Sequence, residues 1–214
     1  MGQASSPRSE KMKSNFKNEV LVIDNFFDER HLKEIHLDLN NLTSRGEFGK
    51  GFISKKSFDY LKKKEPDQRQ ALAKTFSQYH PFEPIYFNVI LNKKHFAVKF
   101  VENFFKKKYG IKINDMESHY WLSGSNPPHS PHKDGGKINC MVHLRGRNSL
   151  FNGTGFYDKV DDKDALSSMF GFKENRAVIF DGDVHLHSSL QPLAKDSSAR
   201  YIMTNFVDKD SHSL

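Results

Sequence analysis

The stretch NRAVIFDGDVHLH, residues 175–187, carries most of the information about the architecture of this chain. Its first half is an apolar, partly β-branched run of strand length, and a turn-forming DGD segment and two histidines follow. A buried strand that ends in this way brings a histidine to the edge of its sheet, where binding residues commonly lie. We therefore expect His185 or His187, which point to the same side of an extended chain, to belong to a site.

A further histidine lies close to a carboxylate in the segment HSPHKD, residues 129–134. His132 and Asp134 are two residues apart, so in extended backbone both side chains point to one side and can bind one cation. The surrounding prolines and glycines are typical of a strand that opens into a loop. Taken alone, the pair is equally compatible with an exposed turn in which imidazole and carboxylate only contact each other.

Arg200 begins another apolar segment, thirteen residues after His187. In a buried pocket its guanidinium would bind a carboxylate through two parallel hydrogen bonds. Two imidazoles and one carboxylate on one side of a cation are the ligand set of non-haem Fe(II) oxygenases. The same donors also suit a zinc hydrolase, so the ligand types leave both chemistries open.

The remaining pattern divides the chain into a helical half and a β half. Five short apolar or alternating segments after Gly110 predict an antiparallel sandwich or barrel: 117–122, 138–144, 155–157, 177–180 and 201–207. Residues 161–169 are predicted to be helical. Before Gly110 we expect a strand at 20–23, a helix from Asp28 to about Asn41, and two helical segments between residues 68 and 108, the second ended by Gly110.

We accordingly predict a disordered tail at residues 1–16 and a single domain at 17–214. Within that domain, residues 17–110 form a helical support and residues 111–207 form the β core. The composition of 214 residues with 36% hydrophobic residues is that of a packed globular domain. A single cysteine, Cys140, excludes a disulfide scaffold and any cysteine zinc cluster.

Other features bear on location and partners. No apolar stretch approaches the roughly 18 residues that a membrane span needs, and no signal peptide precedes the first strand, so we expect a cytoplasmic protein without a membrane partner. The chain has 33 Lys and Arg against 26 Asp and Glu, a net charge of +7. The lysines occur in short scattered runs, which are more often solvated surfaces than nucleic-acid contacts.

In their order along the chain these segments resemble the Fe(II)- and 2-oxoglutarate-dependent dioxygenases, in particular the prolyl-hydroxylase-like branch. The resemblance covers about residues 18–207 and includes the HxD pair at 132–134, the strand at 139–144, the glycine-containing segment at 152–157, the strand at 175–180 and the arginine at 200. It implies a mainly β fold with supporting helices, built on a double-stranded β-helix, or jelly-roll, core.

The resemblance also implies a site. His132, Asp134 and His187 would be the metal ligands, and His187 is preferred to His185 because its spacing to Arg200 fits the family better. The remaining implied contacts are to 2-oxoglutarate: Arg200, His143 and Tyr120 would bind this co-substrate. The family often has a serine or threonine two residues after the arginine, where this chain has Ile202.

The implied activity is that of a hydroxylase with Fe(II) as cofactor and with 2-oxoglutarate and O2 as co-substrates, which releases succinate and CO2. The sequence leaves the substrate open among a small molecule, a peptide and a nucleic acid, and it leaves the oligomeric state open. Two alternatives remain. One is a non-catalytic basic β-sandwich module that binds nucleic acid or protein, and the other is a cupin-like metal-dependent hydrolase or isomerase.

Overall fold

The structure, a computed structural model, describes residues 19–45, 47, 87–110, 112–113, 115–123, 131–190, 200–208 and 212–213. The helices are α1 (Glu29–Ser44) and α2 (Phe96–Tyr109). The strands are β1 (Leu21–Asp24), β2 (Phe87–Ile90), β3 (Lys112–Ile113), β4 (Met116–Ser123), β5 (Lys137–Arg145), β6 (Ser149–Val160), β7 (Lys163–Phe172), β8 (Arg176–Asp181), β9 (Leu186–Ser189), β10 (Arg200–Asp208) and β11 (His212–Ser213). The predicted tail and the first of the two helical segments predicted between residues 68 and 108 lie outside the described residues.

Two antiparallel sheets face each other and form the core of the fold. The larger sheet has the strand order β1-β8-β5-β10-β4-β2, and the smaller sheet has the order β7-β6-β9. Phe156 of β6 packs between the sheets against Val178 and Phe180 of β8. This arrangement confirms the predicted mainly β fold with a jelly-roll core.

The two helices cover the other face of the larger sheet. Side chains alternate along each strand, so even-numbered residues of β5 and odd-numbered residues of β10 pack against the helices. Ile35 and Leu39 of α1 and Val101 and Phe105 of α2 are fully buried or nearly so in this second core. Neither described helix is long and apolar enough to cross a membrane.

The predicted helix caps are largely confirmed. The Asp28 side chain accepts a hydrogen bond from the backbone N–H of His31 at 2.9 Å, and Gly110 ends α2 in the left-handed conformation with φ 70°. The predicted end of α1 near Asn41 is wrong, because the helix continues to Ser44. Leu42 packs against the helix-side core there, and the Thr43 hydroxyl donates to the carbonyl of Leu39.

The segment predicted as a helix at 161–169 is instead β7. Asp161 and Asp162 both have positive φ, 48° and 61°, which is the backbone of a two-residue hairpin turn. From this turn β7 pairs with β6 through Thr154 and Phe170, and beyond an irregularity in the register Ser149 pairs with Phe172. Strand β2 likewise lies in a region where helical signals dominated the prediction.

One asparagine, Asn175, helps to fasten the β1–α1 connection to the β core. Asn175, in the turn before β8, accepts a hydrogen bond from the Phe27 N–H and donates one to the Phe27 carbonyl, both at 2.8 Å. Its φ of 61° lies in the left-handed region, which asparagine tolerates better than most residues. The buried contact holds the β1–α1 connection against the edge of the larger sheet.

Replacing Asn175 tests this fastening. We expect Asn175→Ala to lower the free energy of unfolding by about 2–4 kcal/mol, because both backbone groups of Phe27 lose their partner and alanine is strained at this φ. Asn175→Gly loses the same hydrogen bonds without the strain, so it should be less destabilised than the alanine variant by about 1 kcal/mol. Urea denaturation measures both values, and two variants within about 0.5 kcal/mol of wild type would contradict the interpretation.

Candidate metal centre

Backbone pairing brings His132 and His187 together. Each residue donates its N–H to the carbonyl of the other, at 3.0 and 2.9 Å, in an isolated antiparallel bridge between residue 132 and β9. Directly paired residues project their side chains to the same face. The two imidazole rings accordingly lie with their centroids 4.6 Å apart.

The loop after His132 places Asp134 beside the two rings. The Asp134 N–H donates to the carbonyl of Gly182 at 2.9 Å, and the Asp183 carboxylate accepts from the Gly136 N–H at 2.6 Å. A Cβ atom on Gly182 would lie 2.7 Å from the Asp134 carbonyl oxygen and 2.9 Å from its Cβ. The DGD segment noticed in the sequence therefore serves as a close-fitting support for this carboxylate.

The three side chains present a compact set of donor atoms. One potential ligand atom from each of His132, Asp134 and His187 lies within 4.8 Å of the other two. The His187 Nε2 is 3.2 Å from Asp134 Oδ2, and the His132 Nε2 is 3.8 Å from Asp134 Oδ1. Donors bound to one cation by bonds of about 2.1 Å lie about 3 Å apart when adjacent, so these side chains fit a small divalent ion after a slight contraction.

Hydrogen bonds around the cluster prepare His187 and Asp134 for this role. The His187 Nδ1 is 3.1 Å from the His185 carbonyl oxygen, which can only accept, so Nδ1 is the donor in this contact and Nε2 faces Asp134, where it would become the ligand atom once a cation replaces its proton. Burial acts to raise the pKa of Asp134, but hydrogen bonds from His187 and Asn139 and the nearby charge of His132 outweigh it. The pKa of Asp134 is thus below its ordinary value, and the carboxylate is charged at neutral pH.

A cavity of about 190 Å³ opens beside the cluster between the two sheets. Its lining consists of the three clustered side chains and of Trp121, Met141, Gly153, Thr154, Ser188, Ser189, Arg200, Ile202, Thr204 and Phe206. The larger sheet contributes an apolar wall, in which the Trp121 indole N–H donates to the Thr204 hydroxyl at 2.5 Å. Arg200, only 3% exposed, brings a positive charge to the same cavity.

Four of the residues singled out in the sequence therefore meet at one cavity: His132, Asp134, His187 and Arg200. His185 does not join them, since it is absent from the cavity lining and its ring packs edge-on against Phe156 at 5.7 Å. The structure thus brings His187, and not His185, to the cavity.

The two other predicted co-substrate residues lie elsewhere. Tyr120 is fully buried on the helix side of β4, where it contacts the His95 ring. Because side chains alternate along the strand, the next residue, Trp121, points to the cavity instead. His143 lies on the inner face of β5 but does not line the cavity. It is fully buried and stacks on Phe172 with ring centroids 4.6 Å apart.

Sequence reasoning did not select Trp121, Thr154, Ser188 or Thr204 for the cavity. The adjacent aromatic residues Tyr120 and Trp121 could have indicated a cavity residue, because neighbouring residues of a strand point to opposite faces of the sheet. Which one it is depends on the phase of β4, which is set by its pairing with β10.

Comparison with known proteins supports the fold. The sequence matches no family model and no curated protein. The structure is similar to a prolyl-4-hydroxylase of Pseudomonas putida, with a TM-score of 0.54 and 9% identity over 92% of this chain and 96% of that one. It is also similar to a Trichoplax adhaerens prolyl hydroxylase in complex with a hypoxia inducible factor oxygen degradation domain peptide fragment, with a TM-score of 0.56 and 13% identity over 95% and 91% of the two chains.

The chain therefore has the fold of the prolyl hydroxylases. This confirms, at the level of the fold, the resemblance that the order of its motifs indicated.

The buried imidazole of His143 gives stability a predictable pH dependence. Burial, together with the positive charges of Arg200 and Arg176, lowers the pKa of His143 to about 3. In the unfolded chain the same group binds a proton near pH 6.5, so acidification below that value favours the unfolded state. Between pH 7 and pH 5 we expect wild type to lose about 2 kcal/mol of unfolding free energy relative to His143→Leu.

Denaturant titrations of both proteins at several pH values measure this difference, in which contributions from the other titrating groups cancel. A constant difference across this pH range would contradict a neutral, buried His143. The sign is also diagnostic, because a His143 stabilised in its charged form would make wild type relatively more stable at the lower pH.

Proposed function

We propose that this protein is an Fe(II)- and 2-oxoglutarate-dependent oxygenase that hydroxylates a substrate. The observation that carries the proposal is the meeting of His132, Asp134 and His187 beside a cavity that also contains Arg200. The fold shared with prolyl hydroxylases supports it. The hydrolase alternative would use the same three metal ligands, and it is the buried Arg200 at the cavity together with the prolyl-hydroxylase fold that favours the oxygenase.

The donor set suits iron. Two neutral imidazoles and one carboxylate on one side of an ion leave positions open for other ligands, as oxygen-activating Fe(II) sites require. Bound Fe(II) would supply the reduction of O2 that is coupled to oxidative decarboxylation of 2-oxoglutarate and to C–H hydroxylation. Three residues of the chain would hold the cation: His132 and His187 through imidazole nitrogens, and Asp134 through its charged carboxylate.

The remaining cavity residues would bind and shield the co-substrate. Arg200 is almost fully buried, so its guanidinium can bind the far carboxylate of 2-oxoglutarate with little competition from water. Trp121, Ile202 and Phe206 form an apolar wall from the same sheet. Such a wall excludes water and strengthens the electrostatic contacts inside the cavity.

The first experiment compares two histidines of the same strand region. Wild type with Fe(II), 2-oxoglutarate and air should form succinate even in the absence of the substrate, at a slow uncoupled rate. His187→Ala should form none because a cation ligand is lost, while His185→Ala should retain the activity because its ring lies outside the cavity lining. Succinate is measured by mass spectrometry.

Anaerobic absorption spectra add a readout that needs no turnover. Fe(II) and 2-oxoglutarate together should give wild type a visible charge-transfer band, which His187→Ala should lack. Absence of both the band and succinate in wild type would contradict the proposal. Tight zinc binding without consumption of 2-oxoglutarate would then favour the hydrolase, and metal-free binding to nucleic acid with a steep salt dependence would favour the basic module.

The role of Arg200 has its own test. We expect Arg200→Met to weaken 2-oxoglutarate binding roughly 10- to 100-fold, because a charge-assisted pair of hydrogen bonds is lost. The affinity for the cation alone should be unchanged. Arg200→Lys, which keeps the charge without the planar fork, should lie between wild type and Arg200→Met.

Titration with 2-oxoglutarate at saturating Mn²⁺ gives the first affinity, and titration with Mn²⁺ alone gives the second. An equal loss of both affinities in Arg200→Met would show that the arginine supports the cation site and not the co-substrate.

A further inference from the structure

Asn139 is a buried polar residue in the middle of the larger sheet. It lies on β5 between Phe206 of β10 and Phe180 of β8, and it is 1% exposed. Its side chain is on the inner face of the sheet and donates from Nδ2 to Asp134 Oδ2 at 2.5 Å. Its Oδ1 is buried without a hydrogen-bond partner among the described residues.

Burying an amide at such a position costs free energy of folding. Both neighbours in the register are phenylalanines, and an apolar side chain would leave no buried acceptor unsatisfied. The hydrogen bond to Asp134 is therefore the one described contact that explains an asparagine here. It ties the carboxylate to an interior strand of the larger sheet, whereas the Asp134 backbone is held by Gly182 in a connecting segment. The carboxylate also contacts His187 of β9, which belongs to the smaller sheet.

The chemistry of the amide fits a support for a cation ligand. An uncharged N–H donor holds a carboxylate oxygen and keeps the carboxylate ionised. A lysine or arginine donor would do the same but would repel a divalent cation. The Asp134 Oδ2 that accepts this hydrogen bond is also the oxygen closest to the His187 Nε2, at 3.2 Å.

We propose that Asn139 is a positioning residue for the cation site: its amide fixes the rotation of the Asp134 carboxylate relative to the imidazoles of His132 and His187. The inference rests on the proposed function, because it presumes that these three side chains bind a cation. Asn139 itself does not bind the cation. Its loss changes both how tightly the cation is held and how the carboxylate meets it.

The experiment uses Asn139→Leu, which keeps the approximate volume and removes the donor. We expect its affinity for Mn²⁺, measured from the electron paramagnetic resonance signal of the free ion, to fall roughly 10- to 100-fold. At saturating Co²⁺ we expect visible absorption bands at positions different from those of wild type, because the carboxylate binds in another orientation. A purely structural role would leave the band positions of the saturated site unchanged.

Asn205→Leu is the matched control. Asn205 is equally buried in the neighbouring strand β10, but it lies on the helix side, where it contacts Ser118 and the Cys140 carbonyl. This variant should lose stability and keep the wild-type Mn²⁺ affinity and Co²⁺ spectrum. If Asn139→Leu does not fold, Asn139→Ser provides a smaller change whose affinity should also lie below that of wild type.

The outcomes separate the two proposals. Binding of Mn²⁺ by wild type, with equal affinity in the Asn139 variant, would overturn this inference and leave the proposed function standing. Equal losses in the Asn139 and Asn205 leucine variants would also overturn it, because they would indicate a general loosening of the sheet. Failure of wild type to bind Mn²⁺ or Co²⁺ would overturn the metal site itself, and the inference with it.

Discussion

The reciprocal backbone hydrogen bonds between His132 and His187 are the constraint on which the candidate site depends. These residues come from distant parts of the chain, and their spacing is set by a β bridge whose dimensions are those of any antiparallel pair. The separation of the two imidazoles is therefore a property of the backbone ladder, and side-chain rotation only refines it. The two imidazole donors are therefore in place once this bridge is paired.

The third donor depends on a different kind of support. Asp134 lies in a loop, and its position follows from the close approach of Gly182, the hydrogen bond to the Gly182 carbonyl and the amide of Asn139. Gly182 follows directly after β8, the strand in the second position of the larger sheet, in which residues 177–181 are all buried. The position of Asp134 is thus fixed by contacts to neighbouring packed strands, although its own loop has little regular structure.

Local features were the most predictable part of this molecule. The cap at Asp28, the end of α2 at Gly110 and the β5, β8 and β10 segments follow from short-range patterns, and the structure has them close to where they were expected. The HxD spacing led to His132 and Asp134 for the same reason. Strand β7 was missed because residues 161–169 were predicted to be helical, whereas pairing with β6 through a tight turn makes most of them a strand.

The face of the sheet to which a given side chain points could not be predicted from the sequence. Nothing within β4 distinguishes Tyr120 from Trp121 as the residue that faces the cavity, since both are aromatic and the choice comes from register with β10. Asn139 is a similar case. Its hydrogen bond to Asp134 depends on the turn between the two residues, and an isolated asparagine in an apolar strand does not predict that contact.

The same strand phase decides which sulfur atom of β5 lies at the cavity. Met141 lines the cavity, whereas Cys140 next to it is fully buried on the helix side, where burial raises the pKa of its thiol to about 12. The single thiol of the chain is therefore both protonated and separated from the cavity by the sheet. An oxidant formed in the cavity by the proposed activity could meet the Met141 thioether, whose sulfoxide is enzymatically repairable, but not a reactive thiolate.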